Sequence, residues 1–213
     1  MEITWLGRAC FALKGSKLTI VTDPLNDAAG GRLDIPPADI ITFSHLLRQD
    51  QWFEEVRAQR KVLRGPGEYE ISGVFLTGIK TYRDAHPDQV GTRGANTIYR
   101  FKLDGVHVCH LGALAHLPTS DHVSAIGDVD VLLVPLGGDT LSPTAASETV
   151  GLLEPRVIIP MPQGPTEAGA AQDTLARFFK ELGVPATDPV PRYTVTASTL
   201  GTEPRVVLLQ LRD

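Results

Sequence analysis

The side chains able to do chemistry are few and scattered. The 213 residues hold six histidines, His45, His86, His107, His110, His116 and His122, and two cysteines, Cys10 and Cys109. His107 and Cys109 are two apart in a strand-like run, so they share one face. Two donors from one strand could begin a zinc site, but a closed site needs four ligands, and the alternative is a packed core pair. Ser44 and His45 are adjacent, which in a strand sends them to opposite faces and argues against a hydrogen-bonded dyad. Cys10 would need a depressed pKa and a nearby base to act as a nucleophile, and its apolar surroundings predict a buried, inert thiol. There is no phosphate-binding G-x-x-x-x-G-K-[ST], no dinucleotide G-x-G-x-x-G after a strand, no H-E-x-x-H and no C-x-x-C. A G-x-S-x-G nucleophile elbow is also missing. Gly137-Gly138-Asp139 precedes a helix and could seat an anion, but a plain strand-to-helix turn accounts for it equally.

The elements that must position these groups are short strands first, then strand and helix in alternation. Strands are predicted at 2–6, 10–14, 18–22, 39–44, 61–64 and 67–80, with breaks at Lys14-Gly15-Ser16 and Ser72-Gly73. Trp52, Phe53 and Val56 recur at helical spacing, so about 50–59 reads as a short amphipathic helix. A hairpin follows, 96–103 and 106–111 joined by Asp104-Gly105. Thr119 reads as a helix N-cap. Further strands are expected at 130–135 and 156–160. Ser142-Pro143 opens a helix reaching about 153. Another helix spans about 167–182, with Leu175, Phe178, Phe179 and Leu182 on one side. Strands at 192–197 and 204–211 close the chain. No linker, charge block or short-period repeat divides it, so 1–213 reads as one domain of sheets covered by helices.

Composition removes several function classes. Hydrophobic residues make up 42% and charged residues 21%, which is globular rather than disordered. The net charge is −5 and no basic stripe exists. Arg57, Arg60, Lys61 and Arg64 lie beside Glu54 and Glu55, a solvated helix end rather than a nucleic-acid surface. No apolar run reaches the roughly 18 residues of a membrane span, and the start, Met1-Glu2-Ile3-Thr4-Trp5, reads as a strand and not as an export signal. Two cysteines without such a signal suit a reduced, cytoplasmic protein.

An ordered series of short segments carries more information than any one motif. It runs Trp5-Leu6-Gly7-Arg8-Ala9-Cys10-Phe11, Thr22-Asp23-Pro24, Ser44-His45, Gly65-Pro66-Gly67-Glu68-Tyr69-Glu70 and Arg93-Gly94-Ala95-Asn96-Thr97-Ile98-Tyr99. Then come His110-Leu111-Gly112-Ala113-Leu114-Ala115-His116, the stretch from Val131 to Gly138, and Ile159-Pro160-Met161. In order and spacing, from Met1 to about Leu182, this resembles the metallo-β-lactamase superfamily. Within it the series is most similar to the small bacterial metal-dependent hydrolases related to ascorbate-6-phosphate lactonase. The resemblance implies an α/β (α+β) fold, an αββα four-layer sandwich of two mostly antiparallel sheets flanked by helices. It also implies one or two metals at one sheet edge, activating a water for hydrolysis.

Several positions depart from the pattern this resemblance implies. H-x-H-x-D-H reads here as His45-Leu46-Leu47-Arg48-Gln49-Asp50, keeping the first imidazole, with Asp50 able to offer oxygen. H-L-G-D reads His110-Leu111-Gly112-Ala113, without the bridging carboxylate, and His110 is taken as a scaffold position. Arg8, Arg83 (before Asp84) and Pro162 stand where the pattern has histidine. A catalytic zinc needs three protein ligands and a water. The expectation is therefore a non-catalytic protein with no metal, its former metal pocket formed by Arg8, His45, Asp50, Arg83, Asp84 and His116 and taking a small anion. Arginine forks suit carboxylate or phosphate; alternatively Arg8 and Arg83 pair with Asp84 or Asp23 and plug the cavity. Two other readings stay open. One is an active hydrolase rebuilt on His45, Asp50, Asp84 and His116 with Zn²⁺ or Mn²⁺. The other is a homo-oligomeric interaction module.

Overall fold

The computed structural model describes residues 1–24, 35–45, 61–84, 94–162 and 170–212. Their strands form two sheets. The first has six strands in the order β12-β1-β2-β3-β4-β5, built from β1 (Glu2–Gly7), β2 (Cys10–Lys14), β3 (Thr19–Thr22), β4 (Ile40–Phe43), β5 (Lys61–Arg64) and β12 (Tyr193–Thr194). The second has seven in the order β13-β11-β10-β9-β8-β7-β6. Its strands are β6 (Gly67–Ile71), β7 (Val74–Tyr82), β8 (Ala95–Leu103), β9 (Val106–His110), β10 (Val131–Leu136), β11 (Val157–Pro162) and β13 (Arg205–Val206). Both sheets are mixed. In the first, β1, β2 and β3 pair antiparallel and β3, β4 and β5 parallel. In the second, β7, β8 and β9 pair antiparallel and β9, β10 and β11 parallel.

Period-two alternation decides what lies between the sheets. Ile3, Phe11, Leu13, Ile20 and Ile40 of the first sheet meet Leu76, Tyr99, Phe101, Val108, Leu133 and Ile159 of the second in one buried cluster. The intervening residues of the second sheet, Ile98, Cys109, Leu132, Val134 and Ile158, face outward. They are covered by α2 (Pro143–Leu153) and α3 (Ala170–Leu182) through Val150, Leu153, Phe178 and Phe179. Burying one such phenylalanine stabilises the layer by about 2–3 kcal/mol. A smaller apolar cluster, Leu6, Cys10, Ala12, Val21, Ile41 and Phe43, lines the outer face of the first sheet. The helix expected at 50–59 lies outside the described residues.

Local chemistry sets the helix starts. Ser142 caps α2, its hydroxyl accepting from the Ala145 amide at 3.2 Å, and Pro143 occupies the first turn. Thr119 caps α1 (Ser120–Ile126), and the capping box is closed by a histidine: His122 Nδ1 accepts from the Thr119 amide at 3.2 Å. No helix among the described residues is long and apolar enough to cross a membrane.

The last two strands are shorter than their apolar runs suggest. The expected 192–197 and 204–211 reduce to Tyr193–Thr194 and Arg205–Val206. The closing segment changes sheets, so it sustains no ladder. Val206 pairs with Ile158 in the second sheet, whereas Leu211 bridges Trp5 in the first and the Arg212 amide donates to the Trp5 carbonyl at 3.1 Å. Thr196 also turns the chain early, its amide donating to Thr199 Oγ1 at 2.9 Å.

Candidate functional site

One end of the two sheets gathers the polar residues. The β1–β2 turn, the ends of β3, β4, β7 and β9, and the start of β8 all fall there, bringing in Arg8, Asp23, Ser44, His45, Arg83, Asn96 and His110. Arg8 is held in a left-handed conformation at φ 50°, which costs an L-residue about 1–2 kcal/mol. The neighbouring carbonyls pin it. Trp5 Nε1 donates to the Arg8 carbonyl at 2.9 Å, while Thr22 Oγ1 and His110 Nε2 donate to the Ala9 carbonyl at 2.8 and 3.0 Å. The turn therefore aims an exposed guanidinium from a fixed backbone.

Beneath it is a chain of polar contacts that the alternation argument excluded. Ser44 donates to the buried Asp23 carboxyl twice, its amide to Oδ1 at 2.6 Å and its hydroxyl to Oδ2. Ser44 Oγ lies 3.0 Å from His45 Nδ1, so the adjacent pair does form a dyad. The correction has a simple cause: β4 ends at Phe43, and beyond it the backbone bends and strand alternation no longer applies. Asp23, which the sequence offers within Thr22-Asp23-Pro24 and as an arginine partner, is the anchor of this chain. Asn96 was missed altogether. Fully buried, it donates to Thr81 Oγ1 at 2.7 Å and the Leu111 carbonyl at 3.0 Å, and accepts from the Ala113 amide at 2.9 Å. The available signal was an amide side chain at the head of a strand, buried without an apolar reason to be there.

Two cations, Arg8 and Arg83, act on His45 at this site. No close ion pair of Arg8 or Arg83 is seen among the described residues, although the Arg83 charge acts on Asp23. Burial lowers the His45 pKa to about 4, with the charges of Arg83, His110 and Arg8 acting the same way. The two arginines therefore share one electrostatic neighbourhood around a neutral imidazole. Burial pushes Asp23 up to about 7, against the Ser44 hydrogen bonds and the Arg83 charge, which lower it. Burial likewise takes His110 down to about 4, and its Nδ1 has no partner among the described residues.

His116 makes its contacts elsewhere. Its Nδ1 donates to the Leu117 carbonyl at 2.9 Å, its buried Nε2 lacks a partner among the described residues, and its ring lies 5.8 Å from that of His122. Asp84 is buried beside Arg83, and Asp50 lies outside the described residues. No three His, Cys, Asp or Glu side chains among the described residues come together as a cation cage. His107 and Cys109 make no metal pair either: His107 Nδ1 sits 3.5 Å from Asp130, and Cys109 is a fully buried free thiol. Burial raises both thiols, Cys109 to about 12 and Cys10 well above its usual value. A cavity of about 640 Å³ lined by His107, Asp130, Glu154 and Arg156 lies at the opposite end of β9 and β10.

These buried groups give stability a defined pH dependence. His45 and His110 bind protons less readily folded than unfolded, so their contribution is lost as pH falls from about 6.5 to 4. Asp23 has the opposite sign, its contribution growing as pH falls from about 7 to 4. Two imidazoles outweigh one carboxyl, so stability should fall between pH 7 and 4. Urea midpoints across that range check it. In Asp23→Asn the decline should steepen, and a midpoint that rises towards pH 4 in the unmodified protein would contradict the assignment.

With the geometry in hand, the comparisons with known proteins are specific. A family model described as a beta-lactamase superfamily domain matches residues 2–162. A UPF0173 protein of Pyrococcus abyssi is 26% identical over 196 residues, covering 85% of this chain and 90% of its own. A UPF0173 metal-dependent hydrolase of Thermococcus kodakarensis is 27% identical over 190 residues, covering 76% and 84%. A solved Thermotoga maritima structure, a candidate Zn-dependent hydrolase of the metallo-β-lactamase superfamily, superposes with a TM-score of 0.74 at 33% identity, covering 98% of this chain and 97% of that one. An isothiocyanate hydrolase from Delia radicum gut bacteria shares the fold at 12% identity, with a TM-score of 0.67 over 92% of this chain and all of the other. Two mixed sheets packed face to face, the ordered strand-end motifs and a family match across most of the chain lead to one conclusion: this protein belongs to the β-lactamase superfamily and has the metallo-β-lactamase fold.

Proposed function

We propose that this chain is a non-catalytic member of its superfamily that holds a small anion, without a metal, at the strand ends around His45. The observation that carries this reading is the pair of guanidinium groups, Arg8 and Arg83, without ion-pair partners among the described residues, flanking an imidazole kept neutral. The metal implied by the fold does not fit the described residues. Ala113 offers no oxygen from its side chain, no three His, Cys, Asp or Glu side chains among the described residues form a cation cage, and fixed positive charge repels a divalent cation. The same charge, presented as planar forks of donors, favours a carboxylate or phosphate. Asp84, next to Arg83, belongs to the wall of the pocket in this reading.

Two measurements test it. Protein purified with added Zn²⁺ and Mn²⁺ and then dialysed should carry well below a tenth of a metal equivalent by mass spectrometry. Isothermal titration with inorganic phosphate should show binding that an Arg8→Ala/Arg83→Ala double variant loses by at least about tenfold, the scale of one charge-assisted hydrogen bond. One or two metal equivalents abolished in His45→Ala would instead overturn the metal-free reading in favour of a rebuilt hydrolase site, to be screened with lactones, esters and phosphodiesters.

A further inference from the structure

The hydrogen-bond inventory at His45 limits which anion the pocket accepts. A serine hydroxyl has one proton to give. Ser44 gives it to Asp23 Oδ2, and its amide takes the other carboxyl oxygen. Ser44 Oγ is then left as an acceptor at 3.0 Å from His45 Nδ1, so Nδ1 carries the hydrogen of the neutral ring. It follows that His45 Nε2 bears a lone pair, and it has no partner among the described residues. Arg8 and Arg83 can only donate.

We infer that the pocket selects oxyanions bearing a hydroxyl of their own: the anionic oxygens meet Arg8 and Arg83, and the hydroxyl donates to His45 Nε2. The inference rests on the anion-binding reading above and adds ligand selectivity to it. An oxyanion without a hydroxyl sets an oxygen lone pair against the Nε2 lone pair, leaving the imidazole desolvated and unpaired. Sites that hydrogen-bond a ligand hydroxyl discriminate strongly against analogues lacking it, for this reason.

Hydrogenphosphate and sulfate at about pH 8 make the cleanest comparison, because both are tetrahedral dianions and only the first keeps a hydroxyl. Isothermal titration is expected to give phosphate an affinity at least thirtyfold above sulfate. Glycolate against acetate repeats the contrast with carboxylates and distinguishes a hydroxy acid from a phosphate as the preferred form. In His45→Gln the carboxamide can turn either an oxygen or an amino group inward, so the ratio should fall to a few-fold, chiefly because sulfate improves. Nitrogen NMR of the unmodified protein supplies an independent readout: the His45 ring should be protonated at Nδ1 and bare at Nε2. Equal affinity for phosphate and sulfate, or a proton on Nε2 at that pH, overturns the selectivity and leaves the anion site standing. Binding of neither phosphate nor glycolate overturns both.

Discussion

Replacing Gly112 with alanine is expected to cost roughly 3–5 kcal/mol, enough to remove much of the stability of an ordinary domain. Gly112 follows β9 with φ at +64°, where an added Cβ costs about 1–2 kcal/mol by itself. The larger part is steric. That Cβ would stand 2.6 Å from Asn96 Oδ1 and 2.7 Å from Ser44 Oγ, and closer still to Ser44 Cβ. Neither neighbour can yield cheaply, because the Ser44 carbonyl accepts from the Thr97 amide at 2.7 Å and its side chain is tied to Asp23. Chemical denaturation measures the loss directly. If the protein survives, the displaced Ser44 should also weaken phosphate binding at His45. A cost below about 1 kcal/mol would show that the strand ends are looser than the distances imply.

The second large effect is expected from Asn96→Ala, at roughly 3–4 kcal/mol. The side chain is fully buried and ties β8 to two other segments: Thr81 at the end of β7, and the Leu111 carbonyl and Ala113 amide just after β9. Alanine leaves the Leu111 carbonyl and the Ala113 N–H in a dry interior, each costing about 1–3 kcal/mol. The signature beyond stability is local. Hydrogen exchange at the Ala113 amide should accelerate more than at Leu132 or Leu133 in the neighbouring strand. Uniform acceleration would mean that Asn96 acts only through global unfolding.

Much of this fold could be read from local chemistry. Asp104-Gly105 set the hairpin, Ser142-Pro143 the start of α2, and Thr119 the start of α1, because each acts through its own backbone. The strand ends were harder to read. Alternation ranks Ser44 and His45 on opposite faces until the strand stops, and where it stops depends on pairing with β3 and β5, which lie on either side of β4. Asp23 and Asn96 derive their roles from partners 21 and 15 residues away, which spacing alone does not reveal. Arg8 and Arg83 were legible as unusual residues in a familiar pattern. Their common electrostatic reach to His45 required the two sheets to be brought together.

The matched pairing of the two sheets has a consequence for symmetry. Each half of the chain lays down an antiparallel run of β-strands and then a parallel run, so β1 to β5 correspond in topology to β7 to β11. Under that correspondence Arg8, after β1, and Arg83, after β7, occupy equivalent places. In the proposed anion site the cations would thus form a near-palindrome, one arginine from each repeat. A palindromic cradle cannot tell the two ends of a guest apart. The handedness must come from what the second repeat lacks: Asp23, Ser44 and His45 all belong to the first.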